Sequence, residues 1–194
     1  MNTKLNLLLK LWLLLLVFST VACRSNTNAT EAAMAENADS KAAAPVVVYL
    51  VRHAEKDISD PANQDPGLTP AGQARAEALL TLLEGQDVDA LYATKYIRTI
   101  NTLKPLADAR QLEVRQYEAH DFNNLKQQIL QNHRGETVVV AGHSNTVLPI
   151  VEALGAKRPV PEISDNKYDF LFKVTVAPDG TATVESSQFG AVSN

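Results

Sequence analysis

The chain has 194 residues, with 18 Lys and Arg against 22 Asp and Glu, for a net charge of −4. That length suits one domain with an ordinary core, needing neither disulfides nor metals to hold it. A mildly acidic chain without a basic stripe is a poor nucleic-acid binder, and a single cysteine, Cys23, excludes an intramolecular disulfide.

The first residues read as a targeting segment. Lys4 and Lys10 supply a positive flank, Leu11 to Phe18 is a short apolar run, and small residues follow. The run is too short to span a bilayer comfortably. Ser19-Thr20-Val21-Ala22-Cys23 resembles a bacterial lipobox, although Thr20 stands where that motif has an aliphatic residue. The expectation is a lipoprotein-type signal peptide over residues 1–22 and lipidation at Cys23. The alternative is ordinary cleavage near Ala22 that leaves a plain thiol. The resemblance, with Arg24 after the cysteine, implies a cell-envelope protein that is lipid-anchored to the outer membrane and faces the periplasm. Residues 23–45 are rich in Ala, Asn, Ser, Thr and Glu and have little bulky apolar content. They read as a flexible tether, with at most a short helix around Glu31 to Ala38.

From residue 46 to 194 the pattern alternates strand and helix. Val46 to Val51 is a continuous apolar run, as in a strand covered on both faces. Thr69-Pro70 opens a helix with Ala71, Ala74, Ala78, Leu79, Leu82 and Leu83 on its apolar face and Gly85 at its end. Ala90 to Ala93 is a short strand. Thr94 is expected to cap a helix carrying Ile97, Ile100 and Leu103, which Pro105 should kink or end. Glu113 to Tyr117 is another strand, and Asp121 opens an amphipathic helix to His133. Thr137 to Ala141 repeats the pattern of the first strand, and a helix runs from about Val147 to Leu154. A hairpin closes the domain: Phe170 to Val176, a turn at Pro178-Asp179-Gly180, then Thr181 to Ser186. The alternation predicts a three-layer α/β/α sandwich with a mostly parallel central sheet.

Two of these strands end in a histidine: Arg52-His53-Ala54-Glu55 after the first, Gly142-His143-Ser144-Asn145-Thr146 after the later one. Ligands of open α/β sheets bind outside the carboxyl ends of the strands. Two imidazoles and an arginine there predict an anion pocket, with a phosphoryl group as the natural occupant. Arg98 falls in the first turns of its helix, where a cation is unfavourable unless an anion lies near.

Arg52-His53-Ala54-Glu55, Leu68-Thr69-Pro70-Ala71-Gly72, Thr94 through Arg98 to Thr102, and Gly142-His143-Ser144 together resemble the histidine phosphatase superfamily, also called phosphoglycerate mutase-like. The likeness runs in order from about Val46 to Gly155. It implies a phosphomonoester phosphatase that uses no cofactor and no metal. His53 would be the nucleophile that forms a phosphohistidine, and Arg52, Arg98 and His143 would surround the phosphoryl oxygens. A metal reading of His53 and His143 lacks further ligands at suitable spacing. In many members a glutamate after the third strand is the general acid. Glu118 is favoured here, with Asp121 as the alternative that helix capping would otherwise employ. A different branch uses an aspartate directly after the second histidine, where this chain has Ser144.

Glu55 departs from the commoner Arg-His-Gly form. It could pair with Lys56 or tune the pocket, and its role stays open. Lys157, Arg158 and Lys167 could attract an anionic substrate. The expected partner is a phosphorylated small molecule or envelope component, with the membrane reached through the lipid anchor and no nucleic acid. Two other readings compete with hydrolysis: a non-catalytic phosphate-sensing module and a phosphotransferase.

Overall fold

The computed structural model describes residues 44–193. The signal peptide, Cys23 and nearly all of the predicted tether lie outside the described residues. The domain contains six strands and four helices in the order β1 (Val46–Arg52), α1 (Pro70–Leu82), β2 (Ala90–Ala93), α2 (Ile97–Arg110), β3 (Val114–Gln116), α3 (Phe122–Asn132), β4 (Thr137–Gly142), α4 (Val147–Ala153), β5 (Phe170–Val176) and β6 (Ala182–Gln188).

All six strands form one sheet in the order β3-β2-β4-β1-β5-β6. The β3–β2, β2–β4 and β4–β1 pairs are parallel; β1–β5 and β5–β6 are antiparallel. The predicted α/β sandwich is therefore observed, with a mixed sheet whose parallel part carries the histidines and whose closing hairpin forms the antiparallel edge.

The apolar runs bury both faces of the strands. Val48, Leu50, Val138 and Val140 join a core with Leu125 and Ile129 of α3 and Ile150 and Val151 of α4. Tyr49, Val51, Val139 and Ala141 point the other way, toward Leu79 of α1 and Leu103 and Leu106 of α2. Side chains alternate across a strand, so an uninterrupted apolar run must be covered twice.

Helix termini follow their local chemistry. Thr69 caps α1, its Oγ1 accepting from Gly72 N at 3.1 Å, with Pro70 at the first helical position. Asp121 caps α3 by accepting from Asn124 N at 3.1 Å. Two expectations are corrected. Pro105 neither ends nor divides α2, which continues to Arg110. Thr94 does not cap α2 either: Tyr96 occupies that position without a side-chain hydrogen bond. The missing cap comes from a distant loop, where Asp65 Oδ1 accepts from Ile97 N at 3.0 Å.

Candidate active site

β1 carries Arg52 and β4 ends at Gly142, paired in parallel register. The loops leaving these two strands therefore start side by side. His53 N donates to Gly142 O at 2.9 Å, and the His53 and His143 rings lie with centroids 5.5 Å apart. Gly142 has no room for a side chain, since a Cβ would fall 2.9 Å from Thr146 Oγ1 and 3.1 Å from the Tyr117 hydroxyl. Thr146 Oγ1 also accepts from His143 N at 2.8 Å, which sets the turn that presents the imidazole.

His53 is buried, and its Nδ1 lies 2.8 Å from Ala54 O. A carbonyl only accepts, so Nδ1 carries the proton and Nε2 keeps its lone pair. Ala54 is fixed in turn by its N–H donating to Thr102 Oγ1 at 2.8 Å. Burial pushes the His53 pKa down to about 3, helped by the charges of Arg52, His143 and Arg98 and opposed by the bond to Ala54. The imidazole is therefore neutral at physiological pH. His143 is pushed down to about 4, again chiefly by burial, with Arg98 and Arg52 adding to it. Its Nε2 lies 3.0 Å from Thr94 Oγ1, which also meets Thr99 Oγ1 at 2.9 Å. Thr94 is thus a second-histidine contact rather than a helix cap.

The two arginines are held alike. Arg52 NH1 donates to Ser164 O at 2.9 Å and to Lys167 O at 3.0 Å, and the guanidinium lies 4.2 Å from the Tyr168 ring centroid. Arg98 lies 4.3 Å from the Tyr96 ring centroid. Cations stack favourably on aromatic faces. Burial lowers the Arg52 pKa, but a guanidinium starts so high that it remains charged. The Nε atoms of Arg52 and Arg98 are buried with no acceptor among the described residues. Buried unsatisfied donors are costly, and an oxyanion would relieve them.

Arg52, His53, Arg98, His143, Glu118 and Asp121 line one open cavity of about 930 Å³. Glu118 is exposed at its rim, and Asp121 is already engaged as the α3 cap. Lys56, Lys95, His120 and Asp165 share the wall. Sequence reading passed over Tyr96 and Tyr168, because an aromatic under a guanidinium leaves no signature in spacing.

Glu55 pairs not with Lys56 but with Arg75 of α1, whose NH2 donates to Oε1 at 2.7 Å and whose Nε lies 3.0 Å from Oε2. Two of the three loop cations expected to attract substrate, Arg158 and Lys167, are engaged elsewhere. Arg158 binds Glu152 and Pro161 O, and Lys167 Nζ donates to Ser193 O and sits 3.8 Å from Asp169.

Comparison with known proteins bears on the fold and on residues 48–121. Residues 48–121 match the family model of the histidine phosphatase superfamily (branch 1). No curated protein matches the chain at the sequence level. Solved structures share the fold. The protein histidine phosphatase SixA complexed with tungstate is 19% identical with a TM-score of 0.61, covering 73% of this chain and 96% of its own. Bacillus stearothermophilus YhfR is also 19% identical at a TM-score of 0.61, covering 75% and 98%. Mycobacterial glucosyl-3-phosphoglycerate phosphatase is 11% identical at a TM-score of 0.54, covering 75% and 98%. The family match covers less than half of the chain, and these solved structures show a shared fold.

Proposed function

We propose that the domain hydrolyses a phosphomonoester through a phosphohistidine on His53, with no metal in the reaction. The observation that carries this reading is the neutral, buried His53, its Nδ1 bonded to Ala54 O beside two arginines and a second histidine. The His53 Nε2 lone pair attacks phosphorus, and the bond from phosphorus to the leaving oxygen breaks. Arg52, Arg98 and His143 surround the remaining oxygens, whose charge they stabilise as the transition state forms. Glu118 protonates the leaving alkoxide. A water then attacks phosphorus, giving its proton to the same carboxylate. The phosphorus–nitrogen bond breaks, and inorganic phosphate leaves.

One observation favours substrates that leave easily. Glu118 is exposed and Asp121 is occupied as a cap, so the site best suits a leaving group that needs little protonation. A phosphoramidate, as the name of the SixA relative suggests for that protein, needs less help than an alkyl ester. The sequence reading of Cys23 supports placing this activity at the cell envelope, on a lipid anchor facing the periplasm.

The test uses p-nitrophenyl phosphate with the full chain. His53→Ala should abolish phosphate release, and a rapid neutral quench should trap labelled phosphate on the wild type alone. Unchanged turnover in the variant would end the proposal.

A further inference from the structure

Both arginines of the site already hold a carboxylate. Arg52 NH2 lies 3.8 Å from Asp165 Oδ1, and Arg98 NH1 lies 3.6 Å from Asp65 Oδ1. The two aspartates come from different loops and are held differently. Asp65 is fixed by its second task, capping α2 through Ile97 N. Asp165 has a side chain 96% exposed, and one of its oxygens accepts from Ser144 Oγ at 3.1 Å. Ser144 directly follows His143, so this carboxylate stands between the second histidine and the first arginine, on the cavity wall.

We propose that Asp165, seconded by Asp65, selects substrates by charge: the site takes a phosphoryl group carried on a cationic body and rejects polyanions. This rests on the phosphatase reading above and names its substrate class. Among the residues lining the cavity, Lys56 and Lys95 offset Glu118 and Asp121, which leaves two arginines with Asp165 on the wall, while Asp65 pairs with Arg98 from off the wall. A phosphoryl dianion bound by Arg52 and Arg98 makes that balance negative. A further carboxylate or phosphate on the substrate would then meet Asp165 as a like charge, with Asp65 beside Arg98 adding to the same field. An ammonium group would meet them as partners. The exposed position weakens each interaction by solvent screening but does not change its sign.

The test compares 2-aminoethyl phosphate with phosphoglycolate, two phosphates of similar size that differ by an ammonium against a carboxylate. Binding to the full chain is measured by calorimetry, with inorganic phosphate as the common reference. The wild type should favour 2-aminoethyl phosphate by about tenfold at low salt, and the preference should shrink as salt rises. Asp165→Asn should narrow that ratio to about twofold and tighten inorganic phosphate about fivefold. Ser144→Ala, which frees Asp165 without removing it, should fall between them. Equal binding of the two probes by the wild type, or an unchanged ratio in Asp165→Asn, overturns the proposal. Binding with this preference but no turnover of any phosphoester supports charge selection and sinks the phosphatase reading alone. Failure of the wild type to bind any of the three anions sinks both.

Discussion

Glu55 and Arg75, 20 residues apart, form a fork-to-fork ion pair in the segment that follows His53. The same guanidinium donates to Phe189 O and Ala191 O, both at 2.8 Å. One buried arginine therefore joins the His53 loop to the C-terminal segment. Arg75→Met strands the Glu55 carboxylate and two carbonyls. It should cost about 3 kcal/mol of stability, the usual range for breaking a buried pair from one side. Glu55→Gln, which keeps hydrogen-bonding capacity, should cost clearly less. Urea denaturation of both variants checks the order, and equal losses would refute it.

Acid should weaken the fold through the site imidazoles. The folded-state pKa values of His53 and His143 lie below the unfolded value near 6.5. The unfolded chain thus takes up protons first as pH falls. Stability is level above about pH 6.5 and declines below it, by about 2 kcal/mol from His53 at pH 5 and by less from the more accessible His143. Denaturation midpoints at pH 7.5 and 5.0 measure this. In His53→Gln the decline should be smaller.

Thr94 should matter to catalysis through His143. Thr94→Val keeps the shape but removes the hydroxyl 3.0 Å from His143 Nε2. Loss of one hydrogen bond to a buried partner predicts a fall in kcat of about tenfold to a hundredfold with little change in KM. Thr94→Ser should restore most of it. A change confined to KM would mean that Thr94 serves binding alone.

Glu118→Gln separates acid catalysis from the rest of the site. Turnover of an alkyl phosphate should fall about a hundredfold, whereas p-nitrophenyl phosphate, with its good leaving group, should be nearly unaffected. Equal losses on both substrates would assign Glu118 to binding. No loss on either would leave protonation to another group.

Arg98→Lys tests the planar fork. Lysine keeps the charge but cannot stack on Tyr96 as guanidinium does or bind two oxygens in one plane. kcat/KM should fall about a hundredfold. Retention of full activity would show that charge alone suffices there.

The core strands were legible because burial on both faces writes itself as an uninterrupted apolar run, as in Val46 to Val51 and Thr137 to Ala141. Thr69 and Asp121 were legible as caps because capping is local. Arg52, His53, Arg98 and His143 were legible as a set through the family resemblance of the segments that carry them, and all four line one cavity. What escaped depends on long-range geometry. Nothing near Glu55 in the chain points to Arg75, and nothing near Arg52 points to Tyr168. Thr94 has the composition of a cap, and its true partner lies 49 residues away. Pro105 breaks helices in isolation, yet α2 is packed along one side through Leu103, Leu106 and Ala107. Tertiary burial there outweighs one missing backbone bond.

β1 is the first strand of the domain to be synthesised, yet its neighbours in the sheet are β4 and β5. Until residues 137–142 emerge, the strand that leads into His53 has no parallel neighbour, and its other edge waits for residues 170–176. Arg52 waits in addition for the Ser164 and Lys167 carbonyls and the Tyr168 ring, which emerge after β4 and just before β5. Such non-local pairing comes late in folding, after its closure entropy has been met. A chain stalled before residue 164 would therefore lack the contacts that hold Arg52 at the cavity.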